Sequence, residues 1–299
     1  MIKLELQIKA LKDPLKLAWD LFRIRNCLMA TLGVFLGALF VYHHDTFIDT
    51  NLLLAMLSAF IITAAGNSIN DYFDVEIDKI NKPNRPIPSG RISKSDTLMI
   101  SMILFLLGIT LGKMINNYCF ALALINSLLL AIYAAKLKKT LLLSNMLVSF
   151  LVASTFIYGS LSKIGPQGFQ FGDLTLLAVI STSAFLTNFS REILKDIEDI
   201  EGDKRNYVTT LPIKYGEKFS KRVASILTIF AIFLSVTPFF ISLENFNKLA
   251  YFFLIFAADL TFLISLRSPA ELSQRIMVFG MFLALLAFLF AKLVGIFIY

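Results

Sequence analysis

Apolar residues fall in nine long runs along the chain, at 22–42, 51–70, 97–115, 118–135, 141–161, 174–190, 223–243, 249–266 and 276–298. Each comes close to the ~20 residues that a helix needs to cross the hydrocarbon core of a bilayer. Charged residues are nearly confined to the connections. A backbone in lipid must satisfy its own hydrogen bonds, so runs of this length predict membrane-spanning helices. Ahead of the first run, residues 1–19 mix Leu and Ile with Lys3, Lys9, Lys12 and Lys16, which reads as a basic segment lying on the membrane surface. Ile2, Leu4, Leu6 and Ile8 alternate and fit a strand as well. The first run opens with Arg23 and Arg25 and lacks a small-residue cleavage site, so it does not read as a signal peptide.

Composition narrows the class further. Of 299 residues 57% are hydrophobic and 16% charged, with mean hydropathy +0.73. Soluble chains average about a quarter charged. Disordered, collagenous and disulfide-scaffold proteins are excluded, since Phe alone numbers 29 and Cys only 2. The connections alternate in charge. With the N-terminus in the cytoplasm, 24 of the 28 Lys and Arg residues lie on the cytoplasmic side, which predicts an external C-terminus and an odd number of spans. The net charge of +7 then follows from topology and anionic membrane lipid, with no nucleic-acid partner required. Two cytoplasmic connections are long, 72–95 and 191–222, and a site is expected there.

The window 67–78 reads NSINDYFDVEID. Its Asn67, Asp71, Asp74 and Asp78 are spaced 4, 3 and 4 residues apart, which lines them along one face of a helix. The window 192–203 reads EILKDIEDIEGD, and its Glu192, Asp196, Asp199 and Asp203 repeat the spacing 125 residues later. Lys79 and Lys204 continue the match. The pattern is an internal repeat of helical units with one acidic stripe in each. Like charges at these intervals destabilise a helix, so a cation is expected to offset them. Hard oxygen donors without His or Cys suit Mg²⁺ or Mn²⁺, held by a few carboxylates and by phosphate oxygens. Two such stripes facing each other suit a metal-bridged diphosphate. Beyond the first stripe, NKPNRPIPSGR (81–91) stiffens its turn with three prolines, and Arg85 and Arg91 offer bidentate phosphate donors. KRNYVTTLPIKYG (204–216) follows the second stripe in a similar way.

NDYFDVEIDKINKPNRPIPSG and REILKDIEDIEGDKRNYVTTLP resemble the two signature regions of the UbiA superfamily of intramembrane prenyltransferases, and YAAKLKKT (133–140) resembles its basic motif. The resemblance covers essentially the whole chain as one domain, 1–299. It implies an all-α polytopic membrane protein, nine transmembrane helices around a central cavity with two cytoplasmic cap loops. It implies one metal–diphosphate half-site at Asn67, Asp71, Asp74 and Asp78, and another at Asp196, Asp199 and Asp203. Asp71, Asp74, Asp196, Asp199 and Lys138 would be catalytic. Asn70, Arg85, Lys138, Glu192 and Lys195 would contact substrate, and Lys139 completes the basic motif. The cofactor would be Mg²⁺, and the partners a prenyl diphosphate, a lipid acceptor and membrane lipids, with no obligate protein partner. The wording DIEDIEGD and RPIPSGRIS is most similar to the archaeal branch that builds ether lipids. That branch implies geranylgeranyl diphosphate as donor and geranylgeranylglyceryl phosphate as acceptor.

Arg23, Arg25 and Asn26 open the first helix on the cytoplasmic side, where an acceptor phosphate would meet them or where they serve as interfacial anchors. Asp259 lies inside the eighth run and reads either as functional or as a helix–helix hydrogen bond. Asn126, Asn145 and Asn188 read as glue between helices, and His43 and His44 as solvated loop residues. An aromatic, chlorophyllide or haem prenyltransferase would use the same donor machinery. A cation-coupled transporter would also have helical repeats and an intramembrane acid, but its acids belong near the membrane midplane. The stripes here fall at helix ends beside basic segments, which favours the enzyme.

Overall fold

The computed structural model describes residues 14–41, 48–164, 171–205, 208–241, 243 and 245–298. The alternating Ile2–Ile8 segment, His43 and His44 lie outside the described residues. Every regular element among the described residues is a helix. In chain order these are α1 (Pro14–Phe22), α2 (Ile24–Phe40), α3 (Thr50–Phe73), α4 (Val75–Asn81), α5 (Lys94–Ile115), α6 (Asn117–Ala135), α7 (Leu143–Leu161) and α8 (Phe171–Glu198). They continue as α9 (Ile200–Arg205), α10 (Leu211–Tyr215), α11 (Glu217–Ser235), α12 (Lys248–Arg267) and α13 (Ala270–Ile298). The chain divides into two compact units, residues 1–35 with 48–138 and residues 36–47 with 139–299.

In the first unit α3 is the central helix, packed on α1, α5 and α6. Its buried face is built of small residues, among them Ser58, Ala64, Ala65, Gly66 and Ser68. Small side chains let backbones approach and hydroxyls cross between helices, which is how helices associate where lipid replaces water. Ser58 Oγ donates to the Gly108 carbonyl at 2.7 Å, and Ser101 Oγ to that of Ala65 at 3.0 Å. The far faces are apolar and open, as at Leu106 and Met114 on α5. Side-chain caps start the helices: Asp49 accepts from Leu52 N, Ser93 from Asp96 N and Asn116 from Cys119 N.

The second unit is centred on α8, which packs on α7, α10, α11 and α13, while α12 packs on α13. Asn188 Nδ2 donates to Ser149 Oγ at 3.2 Å, the role its sequence position suggested. Ser190 Oγ donates to the Ala224 carbonyl at 2.9 Å. Gly37 lies so close to α7 that a Cβ there would stand 1.9 Å from the Phe156 carbonyl oxygen. Asp259 accepts from Ser235 Oγ at 2.8 Å, a hydrogen bond between α12 and α11.

Among the described residues seven helices are long and apolar enough to span a membrane: α3, α5, α6, α7, α11 with the turn that follows it, α12 and α13. The pair α1 and α2, bent by 60°, makes an eighth when counted together. The run at 174–190 lies in α8, which is not among them. That helix is 28 residues long but interleaves Ser181, Thr182, Ser183, Thr187, Asn188 and Ser190 with its apolar residues. The connections 72–95 and 191–222 also differ from open loops. They hold α4 in one case and α9 and α10 in the other.

The bend between α1 and α2 falls at Arg23, whose φ of 49° lies in the left-handed region that side chains other than glycine rarely adopt. Short α1 carries Leu15 and Trp19 outward, 82% and 53% exposed, in keeping with a helix that lies at the interface.

Candidate functional site

The first acidic stripe begins on the last turns of α3, and it is broken. Helix α3 stops at Phe73 and α4 resumes at Val75, with Asp74 between them at φ −83° and ψ −1°. The i→i+4 ladder nevertheless passes through the break, since Asp74 N donates to the Asn70 carbonyl and Asp78 N to that of Asp74. Asp71, Asp74 and Asp78 therefore stay on one side while the axis turns. All three are buried, at 3%, 6% and 4% exposure.

Buried carboxylates need cations or donors, and each has found one. Asp71 is bonded by Arg23, from 48 residues upstream, and by Arg85 Nη1 at 3.2 Å. Arg85 Nη1 also reaches Asp78 at 2.5 Å. Asp74 is bonded by Lys138 Nζ. Asn67 turns its amide to the Phe22 carbonyl at 2.8 Å, and Asn70 keeps a buried Oδ1 with no hydrogen-bond partner. Arg25 is exposed, and of the two arginines that open the first run it is Arg23 that bonds the stripe.

The second stripe repeats the construction within its own unit. Helix α8 stops at Glu198 and α9 resumes at Ile200, and Asp199 stands at the break. Asp199 N donates to the Lys195 carbonyl and Asp203 N to that of Asp199. The two breaks, Asp74 and Asp199, are therefore 125 residues apart, like the stripes. Asp196 accepts from Asn145 Nδ2 at 2.7 Å, and Ser144 Oγ donates to Asn145 Oδ1 at 3.1 Å. Asn145 thus bonds α7 to α8, the glue between helices that its sequence position suggests, and its partner is a stripe carboxylate. Only its position a few residues after the basic motif hints at this. Burial pushes the Asp196 carboxyl up to about 7, although the Asn145 hydrogen bond pulls it down. Glu192 pairs with Arg191, and Lys195 stands 3.7 Å from Asp199.

Among the described residues no three His, Cys, Asp or Glu side chains converge as a metal-binding group. The carboxylates of the first stripe are instead held by cations: Arg85 bridges Asp71 and Asp78, Arg23 also bonds Asp71, and Lys138 bonds Asp74. The donor chemistry still fits Mg²⁺, which commonly takes one or two carboxylates and completes its shell with substrate phosphates and water. The unpartnered Asn70 oxygen is a donor of the same hard type.

A family profile described as the UbiA prenyltransferase family matches residues 30–286. A digeranylgeranylglyceryl phosphate synthase from Methanosarcina mazei is 38% identical over 286 residues, 90% of this chain and 96% of its own length. The synthase of that name from Methanopyrus kandleri is 41% identical over 276 residues, 90% and 97% of the two chains. A solved structure described as digeranylgeranylglyceryl phosphate synthase in membranes is 35% identical, with a TM-score of 0.76, covering 93% of this chain and 98% of its own. A UbiA homolog from Archaeoglobus fulgidus bound to DMAPP and Mg²⁺, 16% identical with a TM-score of 0.62, covers 89% of this chain and 85% of its own and shares the fold.

Proposed function

The chain belongs to the UbiA prenyltransferase family, and from that premise we propose that it transfers a geranylgeranyl group from geranylgeranyl diphosphate to the free hydroxyl of geranylgeranylglyceryl phosphate. The product is digeranylgeranylglyceryl phosphate, an archaeal ether-lipid precursor. One observation carries the reading: the chain is 38–41% identical, over 90% of its length, to archaeal synthases of that name. It is a multi-pass membrane protein and an intramembrane prenyltransferase.

Asn67, Asp71, Asp74 and Asp78 in the first unit, and Asp196, Asp199 and Asp203 in the second, are the residues that would hold Mg²⁺. Their matched spacing and matched helix breaks support one shared task. The UbiA homolog from Archaeoglobus fulgidus, which shares this fold, binds DMAPP or GPP together with Mg²⁺, and this supports a divalent cation here as well. When bound, such an ion offsets the negative charge that builds on the departing diphosphate.

The chain's own residues do the rest. Arg85, Lys138 and Lys195 are cations suited to diphosphate oxygens, with Asn70 and Glu192 completing the substrate contacts. As the allylic C1–O bond breaks, the electron pair leaves with the diphosphate. The acceptor hydroxyl forms the new C–O bond at C1, and its proton passes to an oxygen of the departing diphosphate. Electrostatic stabilisation of the leaving group is the main catalytic task, and no Ser/His/Asp nucleophile is needed. Apolar helices exclude water that would otherwise capture C1.

The test is direct. Purified full-length protein with Mg²⁺ and labelled geranylgeranyl diphosphate should prenylate geranylgeranylglyceryl phosphate, and excess EDTA should stop it. Rapid prenylation of 4-hydroxybenzoate or a chlorophyllide, with none of the phosphoglycerol acceptor, would overturn the assignment.

A further inference from the structure

We infer that the cleft between the end of α1 and the turn at 81–91 holds the phosphomonoester headgroup of a lipid acceptor, through Lys82 and Arg91. This inference rests on the proposed function and names where the second substrate is recognised. The cleft has a volume of about 490 Å³ and lies wholly within the first unit. Its wall carries three cations, Lys82, Arg85 and Arg91, against one carboxylate, Asp20.

Asp20 is already engaged, because Arg91 Nη1 donates to its Oδ2 at 2.6 Å. Arg91 Nη2 donates to the Asn84 carbonyl at 2.8 Å and its Nε to Ser89 Oγ at 3.1 Å. Those bonds use three of the five guanidinium N–H groups and fix the plane of the remaining two. A fixed arginine fork is suited to a phosphate, and an exposed lysine beside it adds a point charge. The turn itself is held rigid. Arg85 N donates to the Lys82 carbonyl and Arg91 N to that of Pro86, both at 3.0 Å. With a single carboxylate, bonded to Arg91, the cleft lacks the donors of a metal–diphosphate site.

Two features mark the ligand as lipid-borne and as the acceptor. Asp20 belongs to α1, which exposes Leu15 and Trp19, an apolar surface of the kind that sits at a membrane interface and against which the chain of a lipid can lie. Arg85 lines the cleft and also bonds Asp71 and Asp78. One guanidinium therefore separates the headgroup from the first acidic stripe. The glycerol hydroxyl, on the carbon next to the one carrying the phosphate, lies toward that stripe.

The experiment uses the full chain in nanodiscs with Mg²⁺, varying geranylgeranyl diphosphate and geranylgeranylglyceryl phosphate separately. Lys82→Ala, at an exposed position, and Arg91→Lys, which keeps the charge but loses the fork, should each raise the acceptor KM by about ten- to a hundredfold, the loss of a charge-assisted hydrogen bond. The donor KM should move less than about twofold, a change too small to represent such a bond. Glycerol 1-phosphate should compete with the acceptor in the wild type and lose that competition in both variants. Competition that persists unchanged would overturn the inference. So would an acceptor KM that rises in Arg25→Ala and stays put in the two cleft variants. Losses seen only in nanodiscs containing phosphatidylglycerol, and absent in neutral ones, would assign the cleft to bulk anionic lipid and overturn it too. A wild type that prenylates no phosphoglycerol acceptor overturns the proposed function itself, a result distinct from any of these.

Discussion

At the scale of single residues, the carboxylates are held by partners from distant parts of the sequence. Arg23 reaches Asp71 across 48 positions, Lys138 reaches Asp74 across 64, and Asn145 reaches Asp196 across 51. Spacing within one helix exposes a stripe, because i, i+3 and i+4 residues share a face. It holds no information on which cation another helix brings to it. That is why the acids and the interhelical role of Asn145 were legible in the sequence while the partners of Arg23 and Asn145 were not. Asp71→Asn and Asp196→Asn should each lower kcat by at least ~10²–10³, the usual loss for one oriented electrostatic contact in a transition state. Variants that kept most of their activity, and kept it in excess EDTA, would remove both stripes from the chemistry. Asn145→Leu should raise the Mg²⁺ requirement by about 10–100-fold, as expected when a group that orients a metal ligand is lost. Asn145→Gln should recover part of it. A Mg²⁺ titration that is unchanged in Asn145→Leu would make that residue packing only.

Among the elements, the helices were the most legible feature. A long apolar run dictates a helix in lipid whatever its neighbours do. The breaks at Asp74 and Asp199 were invisible, because a 4-3-4 spacing reads the same on a straight helix and on one that turns at its third acid. Counting spans by apolar runs also treated α8 like the others, although its hydroxyls and Asn188 serve contacts with α7 and α11. Close approach of elements was legible only as the presence of glycine. Its consequence is measurable. Gly37→Val would drive side-chain carbon into the Phe156 carbonyl, so α2 and α7 must separate. Overpacking of this kind costs typically ~1–3 kcal/mol or more. The thermal midpoint of the purified variant should fall, while Gly90→Ala, with nothing within 4 Å of the added Cβ, should lose only what its φ of 75° imposes.

For the molecule as a whole, the charge distribution makes a prediction about orientation. Reporters fused near 85, 139, 210 and 270 should be cytoplasmic, and those after 44, 165 and 299 external, in accordance with the excess of Lys and Arg on one side. An internal C-terminus would require an even number of spans and would dissolve the charge argument. A different kind of constraint sits at the bend of α1 and α2. Arg23 must supply a guanidinium to Asp71 from a backbone conformation that favours glycine, at a cost on the order of 1–2 kcal/mol. Releasing that strain carries a larger cost, because glycine at 23 would leave buried Asp71 with Arg85 alone. In a library of substitutions at 23, glycine should therefore lower the thermal midpoint while Asp71 is kept, and raise it only in combination with Asp71→Asn. Laboratory evolution for thermostability alone would reach glycine here only after the carboxylate had gone, and with it the working enzyme.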